Sequence, residues 1–165
     1  MKILVLTDSH SGLGFMRMAI RTIRPDAVVH LGDHYDDGEA MQEEFSHIPF
    51  HIVPGNCDRY RLMRPAPEML CYDVCGVRLF MTHGHNQFVK QDRYRLLLEA
   101  RKLGAKAALY GHTHIADCHQ EDDGLWVLNP GSCGSYGGSV GLIETNNGII
   151  QSCRILRQQE LEELV

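Results

Sequence analysis

The sequence predicts an α/β fold with a largely parallel sheet and an antiparallel carboxyl-terminal part. Three observations support this prediction: short apolar runs recur along the first two thirds of the chain, helical patterns lie between them, and the last third has strand-like segments joined by turn signals. Strands that alternate with helices favour crossover connections and parallel pairing. Strands joined by short turns favour antiparallel pairing.

Five short apolar runs predict strands that are covered on both faces. They are residues 3–6, 27–29, 50–53, 77–81 and 107–109. Two stretches repeat apolar residues at the spacing i, i+3, i+4 and i+7, which is typical of a helix with one buried face. These stretches are residues 16–23 and 96–103, and Gly104 follows the second one as a predicted C-cap.

The last third of the chain predicts four further strands and a short final helix. The strands are residues 115–119, 126–128, 140–143 and 149–155. Turn signals lie at residues 121–124 and 146–148, which predicts hairpins. The final helix is predicted from about residue 156 to residue 164.

Length and composition predict a single domain, residues 1–165. The chain has 165 residues, 44% of them hydrophobic, which is enough for one core. The amino-terminal apolar run ends before Asp8, so it is too short for a signal segment or a membrane span. The six cysteines include one close pair, Cys71 and Cys75, and their spacing favours reduced thiols over the alternative of a disulfide framework. We therefore predict a soluble, cytoplasmic protein.

The formal net charge of −5 argues against stable nucleic-acid binding, which needs clustered Lys and Arg. A phosphorylated substrate would need local positive charge, and bound metal ions can supply it. Sequence leaves the oligomeric state open, and a homo-oligomer is one alternative.

Polar residues follow each of the five strands predicted in the first two thirds of the chain. In chain order they are Asp8 and His10, Gly32 and Asp33, the run 55–58, the run 83–85, and the run 111–114. Ligands of open α/β sheets bind at the carboxyl ends of the strands, so the five loops are expected to meet there. Each fragment alone also fits an ordinary turn. Their joint order is a far more specific signal.

Histidine nitrogen combined with carboxylate oxygen suits Mn, Zn, Fe, Co or Ni, whereas an all-oxygen shell suits Mg or Ca. The spacings Asp-x-His and His-x-His place both side chains on one side of an extended segment. The sequence therefore predicts a transition-metal centre.

These motifs resemble the calcineurin-like metallophosphoesterase family, whose pattern is Asp-x-His, Gly-Asp, Gly-Asn, His and Gly-His-x-His. The resemblance runs from Met1 to about Ile155 and is closest to the small single-domain bacterial and archaeal phosphodiesterases. It implies a four-layer α/β/β/α sandwich, in which two mixed sheets are flanked by helices.

The resemblance also implies a site for two divalent cations, with Mn expected first and Ni, Zn, Fe, Co or Mg as alternatives. By position, the implied ligands are Asp8, His10 and His114 for one cation, Asn56, His83 and His112 for the other, and Asp33 as the bridge. A hydroxide that bridges the metals would then attack the phosphorus of a phosphate ester.

Four residues near the implied ligands are candidates for roles in catalysis or substrate binding. Asn56 is expected to contact substrate as well as metal, and Cys57 stands where many relatives have a histidine acid. Because a thiol is a poorer proton donor than a tuned histidine, Cys57 predicts a preference for good leaving groups. Asp58 is expected either to orient a neighbour or to cap the next helix. His85 is expected to approach the metals or substrate, or to be solvated.

The resulting hypothesis is a phosphodiesterase that hydrolyses a small phosphate ester without associating with membranes. A phosphomonoesterase or nucleotide hydrolase is the near alternative. A protein-binding scaffold is the alternative of another class, because the same fold serves this role in the retromer sorting subunit, where some metal-site residues are altered. Here all seven ligand positions hold competent residues, which favours catalysis.

Overall fold

The computed structural model describes residues 1–58, 62, 64–134 and 137–164. Within these residues the chain forms ten strands and four α-helices. The strands are β1 (Lys2–Leu6), β2 (Ala27–His30), β3 (Phe50–Ile52), β4 (Met69–Val74), β5 (Val77–Thr82), β6 (Ala107–Leu109), β7 (Asp117–Gln120), β8 (Trp126–Asn129), β9 (Ser139–Asn146) and β10 (Ile149–Arg157). The helices are α1 (Leu13–Ile23), α2 (Tyr35–Glu44), α3 (Tyr94–Lys102) and α4 (Gln158–Glu162).

The strands form two mixed five-stranded sheets. The first has the order β10-β9-β1-β2-β3, with β1, β2 and β3 parallel and β9 and β10 antiparallel. The second has the order β4-β5-β6-β8-β7, with β5, β6 and β8 parallel and the edge strands β4 and β7 antiparallel. The parallel strands of both sheets therefore carry the loops that hold the predicted ligands.

Three buried apolar clusters separate four layers. One lies between the sheets and includes Ile3 and Val5, whereas Leu4 and Leu6 point to the other face of β1, towards α1 and α2. A third cluster packs α3 against the second sheet. Because β1 is covered on both faces, its sequence is a continuous apolar run. The fold is the α/β/β/α sandwich implied by the resemblance.

The two predicted helices with an apolar face are present. In α1 the buried residues include Met16 and Ile20, one turn apart, and the helix ends where the Arg24 N–H donates to the Ile20 carbonyl at 2.9 Å. In α3 the buried residues are Leu96 and Ala100. The cap residue is Leu103, one position before the predicted Gly104, and Gly104 follows it in the left-handed conformation with a φ of 69°.

The structure also corrects several predictions. The sequence analysis missed α2, where Met41 is the one buried apolar residue, and it missed the edge strand β4. The strand predicted at 115–119 is shifted to Asp117–Gln120, and β10 continues to Arg157, so the final helix begins two residues later than predicted. The local patterns predicted a largely parallel sheet with an antiparallel last part, whereas the strands divide between the two mixed sheets that the resemblance implied, because the same local patterns fit one sheet or two.

All six cysteines are free thiols in this structure. The longest helix among the described residues has 11 residues, and none is long and apolar enough to cross a membrane. The cytoplasmic location stays a prediction.

Candidate metal centre

The five predicted ligand loops meet at one end of the sandwich. Three follow β1, β2 and β3 of the first sheet, and two follow β5 and β6 of the second. Backbone hydrogen bonds join them: the Asp8 N–H donates to the Gly32 carbonyl at 2.9 Å, and the Gly111 N–H donates to the His83 carbonyl at 3.0 Å. The expectation of a single sheet edge is thus corrected to the matching ends of two sheets.

Two glycines let these loops approach closely. A Cβ added to Gly55 would lie 2.1 Å from Asp33 Oδ1, and one added to Gly111 would lie 2.1 Å from Thr7 Oγ1. Both distances are far below van der Waals contact, so a side chain at either position would displace a loop. These two glycines are required by packing around the predicted ligands.

Five of the predicted ligands have left-handed backbone conformations. They are Asp8, His10, Asp33, His112 and His114, with φ between 42° and 68°. Each such residue costs on the order of 1–3 kcal/mol and persists only where its surroundings hold it. Several such residues close together are typical of functional sites.

We call Asp8, His10, Asp33 and His114 the first ligand group. One ligand atom from each lies within 4.8 Å of the others. Asp8 Oδ2 accepts hydrogen bonds from the Thr7 hydroxyl at 2.8 Å and from the His112 N–H at 3.1 Å. These two bonds fix the carboxylate plane and direct Oδ1 towards the group.

Asp8 Oδ1 is buried and accepts no hydrogen bond from any described residue, yet His114 Nε2 lies 3.0 Å away. A buried carboxylate oxygen without a partner is costly, and a cation between the oxygen and the imidazole would remove this cost. The first ligand group therefore fits a divalent cation.

We call Asn56, His83 and His112 the second ligand group. His83 Nδ1 lies 2.7 Å from the Leu31 carbonyl, so it carries the proton and leaves the lone pair on Nε2 in the neutral ring. That Nε2 faces Asn56 Oδ1 at 3.2 Å and Asp33 Oδ1 at 3.5 Å. The His112 ring lies 5.1 Å from the His83 ring. Three electron-rich atoms that face one another fit a second cation, with Asp33 shared between the groups.

The electrostatics keep these side chains in metal-binding form. Burial raises the pKa of Asp33, but the nearby His83 and the Cys57 N–H bond at 3.0 Å outweigh it, so the pKa lies below its ordinary value. Burial, together with the neighbouring His83 and Lys90, lowers the pKa of His112 to about 4. At neutral pH Asp33 is thus ionised and His112 is neutral, as ligands must be.

Asp58 supports the site from behind instead of facing it. It is fully buried, and its Oδ1 accepts the N–H groups of His34 and Tyr35, both at 2.9 Å. Its Oδ2 accepts the Gly55 N–H at 2.7 Å. Asp58 therefore caps α2 and ties the Asp33 loop to the loop after β3, which favours a positioning role over direct contact with substrate.

A second buried network, which sequence reasoning missed, holds the loop of Asp8 and His10. The Ser9 hydroxyl donates to Asp37 Oδ2 at 2.7 Å, and the Ser11 N–H donates to the same oxygen at 2.7 Å. His30 Nδ1 accepts the Gly32 N–H, so Nε2 donates to Ser9 Oγ at 3.1 Å. No local pattern signals these contacts, because they join residues 21 to 28 positions apart.

His30 is fully buried, and burial lowers its pKa to about 4, which keeps it neutral within this network. Burial also raises the pKa of the Cys57 thiol to about 11, with Asp33 as the next cause, so Cys57 is protonated at neutral pH.

His85 is half-buried, and its ring lies 5.5 Å from the His83 ring and 6.1 Å from the His112 ring. It therefore sits beside the second ligand group. His34 is also partly covered, and its ring lies 5.1 Å from the His10 ring of the first ligand group.

Residues 1–148 match the family model of the calcineurin-like phosphoesterase superfamily domain. The chain belongs to the calcineurin-like phosphoesterase superfamily. Curated relatives in this superfamily include a probable metallophosphoesterase of Bacillus subtilis, 31% identical over 80% of this chain and 75% of the relative. They also include a phosphodiesterase of Methanocaldococcus jannaschii, 29% identical over 82% of this chain and 86% of the relative.

Solved structures with the same fold include the following two. One is a predicted phosphoesterase from Streptococcus pneumoniae, with a TM-score of 0.77 at 23% identity, covering 96% of this chain and 90% of that one. Another is Vps29 from Entamoeba histolytica complexed with Zn²⁺, with a TM-score of 0.72 at 22% identity, covering 96% and 99%. At these identities the likeness supports the fold alone.

Proposed function

We propose that this calcineurin-like phosphoesterase is a metal-dependent phosphodiesterase that acts on small phosphate esters. The observation that carries the proposal is Asp8 Oδ1, a buried carboxylate oxygen without a hydrogen bond that faces an imidazole nitrogen at 3.0 Å. A cation bound between this oxygen and the lone pair of a neutral imidazole would compensate the buried carboxylate. Membership of the calcineurin-like phosphoesterase superfamily supports the proposal.

In this proposal the first ligand group holds one divalent cation, the second group holds another, and Asp33 touches both. Two such cations activate water, orient the phosphate and neutralise charge on its oxygens. Mn suits the mixed nitrogen and oxygen donors, and Ni, Zn, Fe, Co or Mg could occupy the same ligands. We further propose that residues 1–165 form one domain, because both sheets supply ligands to one centre.

The remaining site residues would act on the substrate. Asn56 and Cys57 are exposed at the opening of the centre, so both can reach a bound ester. Cys57, protonated and beside Asp33, is placed to donate a proton to the leaving oxygen, although its raised pKa makes it a weak acid. His85 would contact the phosphate from the side of the second ligand group.

Two open grooves reach the ligand loops, since Asp58 lines one and Thr113 the other, and we take them as support for a diester over a monoester. One, of about 780 Å³, is lined by residues that include Tyr35, Asp36 and Glu39. The other, of about 810 Å³, is lined by residues that include Lys90 and Thr113. A diester has a substituent on each side of the phosphorus, and two grooves can take both. A monoesterase or nucleotide hydrolase remains the near alternative.

The two grooves differ in charge. The first groove has three carboxylates, of Asp36, Glu39 and Asp58, against one cation, Arg64. The second is balanced, with Lys90 and Arg93 against Asp92 and Asp117, and Lys90 is close enough to lower the pKa of His112. Opposite charge raises the local concentration of an anionic ligand. We therefore propose that the more acidic arm of the ester lies along Lys90.

A protein-binding scaffold is the second candidate, and the likeness to Vps29 favours it. A scaffold would need no metal for a chemical step. The zinc complex of Vps29 shows that this fold can bind metal, so metal binding alone does not distinguish a scaffold from an enzyme. As a scaffold, this chain would bind proteins instead of small phosphate esters.

The proposal is tested by stripping the protein with a chelator and adding back Mn, Ni, Zn or Mg before assay. We expect metal-dependent hydrolysis of bis(p-nitrophenyl) phosphate that exceeds hydrolysis of p-nitrophenyl phosphate. Faster hydrolysis of the monoester would move the assignment to a phosphomonoesterase. Metal binding without hydrolysis of either ester would leave the scaffold role.

A further inference from the structure

Two cysteines face each other where the edges of the two sheets meet. Cys118 lies in β7, the edge strand of the second sheet, and Cys153 lies in β10, the edge strand of the first. Their Sγ atoms are 3.2 Å apart, and both residues are free thiols and half-buried. A thiol pair thus bridges the two sheets without a covalent bond.

At the opposite edge of the sandwich, a hydrogen bond and not a thiol pair joins the two sheets. There His51 Nδ1 of β3 lies 2.8 Å from the Tyr72 hydroxyl of β4, which joins the other two edge strands by a hydrogen bond. A neutral hydrogen bond cannot be made covalent. The cysteine pair at the first edge can be, because two sulfur atoms at this separation need to approach by only roughly 1.2 Å to reach bonding distance.

We propose that Cys118 and Cys153 form a reversible thiol–disulfide site that links the two sheets when the protein meets a small-molecule disulfide. The site is separate from the metal centre: Cys118 lies four residues beyond His114, and neither sulfur belongs to either ligand group. The inference therefore does not rest on the proposed hydrolase activity.

The chemistry is a two-step exchange. The Cys118 thiolate attacks one sulfur of the small disulfide, forms a mixed disulfide and releases a thiolate. Cys153 then loses its proton and attacks the Cys118 sulfur, which forms the bond between the sheets and releases the second thiolate. Two protein thiols are oxidised, the small disulfide is reduced to two thiols, and the two protons pass to the released thiolates.

The environment favours Cys118 as the attacking group. The hydrogen bond shared with Cys153 lowers the pKa of the Cys118 thiol below its ordinary value, despite partial burial. The same contact, together with burial, raises the pKa of Cys153. An attacking thiol with a neighbour already in contact is the arrangement in which a mixed disulfide resolves quickly.

The bond would close a segment of 35 residues, which includes β8 and β9. Joining two edge strands restricts the unfolded chain and stabilises the folded one. Because β7 begins three residues after His114, the bond would also anchor the strand that follows a loop of the first ligand group.

The test incubates the full chain with glutathione disulfide and analyses it by intact mass, thiol counting and peptide mapping. Cys57, which is exposed, is changed to Ser in every sample so that it forms no adduct. We expect a loss of two hydrogen atoms, two fewer titratable thiols, a cross-linked peptide that joins Cys118 to Cys153, and full reversal by dithiothreitol. The Cys118→Ser and Cys153→Ser variants should keep their mass or gain one stable glutathione, whereas the matched Cys71→Ser control should still cross-link.

Thermal unfolding supplies an independent readout. We expect the oxidised protein to melt at least roughly 5 °C above the reduced one, and Cys118→Ser to show no such rise. A cross-link between other cysteines, unchanged thiol counts after prolonged incubation, or a lower melting temperature on oxidation would each overturn the proposal.

Discussion

The two ligand groups of the centre differ in charge and in how tightly the fold assembles them. The first group has two carboxylates, Asp8 and Asp33, and brings four ligand atoms to within 4.8 Å of one another. The second group consists of neutral ligands, Asn56, His83 and His112, and obtains its carboxylate from Asp33. Because cation affinity rises with ligand charge, we infer that the first group fills before the second.

The comparison also shows which part of each group is prearranged. In the first group the network of Ser9, His30 and Asp37 holds the loop, while His114 remains partly exposed. In the second group His83 is fully buried, while Asn56 is exposed. Each cation would therefore have one fixed side and one side open to the substrate.

The largest effect should come from Asp33→Asn, because it removes the carboxylate that both groups share. We expect turnover of bis(p-nitrophenyl) phosphate with Mn to fall by more than roughly 100-fold. Loss of a residue that only supports a ligand costs up to about 100-fold, and loss of a ligand should cost more. Asp122→Asn is the matched control, since Asp122 is exposed and lies in neither ligand group and in neither groove. Near-normal turnover in the Asp33 variant would refute the shared ligand.

A smaller loss is expected from Asp37→Asn, which weakens the support of the first group without touching a metal. Metal affinity should fall by about 10–100-fold while the fold persists, as for other supporting residues. Isothermal titration with Mn measures the affinity, and Glu39→Gln, exposed on the same helix, is the control. An unchanged Mn affinity would show that Asp37 stabilises the helix but does not support the metal ligands.

A change at Cys57 should affect the choice of leaving group more than metal binding. We expect wild type to prefer aryl over alkyl phosphodiesters, and Cys57→His to raise alkyl turnover by about tenfold, because imidazole is the better proton donor. Cys57→Ser separates loss of the thiol from gain of the imidazole. Equal rates for both esters in wild type, with no effect of the substitution, would contradict this role.

The smallest effect is expected from Lys90→Gln, which removes a charge at the rim of one groove. KM for an anionic diester should rise by a few-fold with kcat nearly constant, and the effect should shrink at high salt, because a surface charge acts mainly on encounter. Lys106→Gln, exposed in a groove away from the centre, is the control. A fall in kcat alone would assign Lys90 to the chemical step.

Much of the centre could be predicted from sequence because each ligand directly follows an apolar run. The end of a parallel strand is a fixed place in the fold, so residues after β1, β2, β3, β5 and β6 converge whatever lies between them. His83 and His112 come together in this way across 29 residues of chain. Residues that directly follow a strand can therefore be found from the apolar pattern of the sequence.

The supporting residues could not be predicted because long-range packing creates them. Asp37 lies in a helix with little apolar periodicity, and its partner Ser9 lies 28 residues away. Asp58 resembles a helix cap in sequence, but it caps α2, which precedes it in the chain. The local patterns did not predict the division into two sheets for the same reason, because an apolar run does not indicate which other strand it pairs with.

The most direct test is a titration of the metal-free protein with Mn, followed by calorimetry or electron paramagnetic resonance, in wild type, His114→Ala and His112→Ala. Two binding events per chain are predicted for wild type, the tighter lost in His114→Ala and the weaker lost in His112→Ala. A single event in wild type, loss of the same event in both variants, or a chain that binds no Mn at all would contradict the two-cation centre.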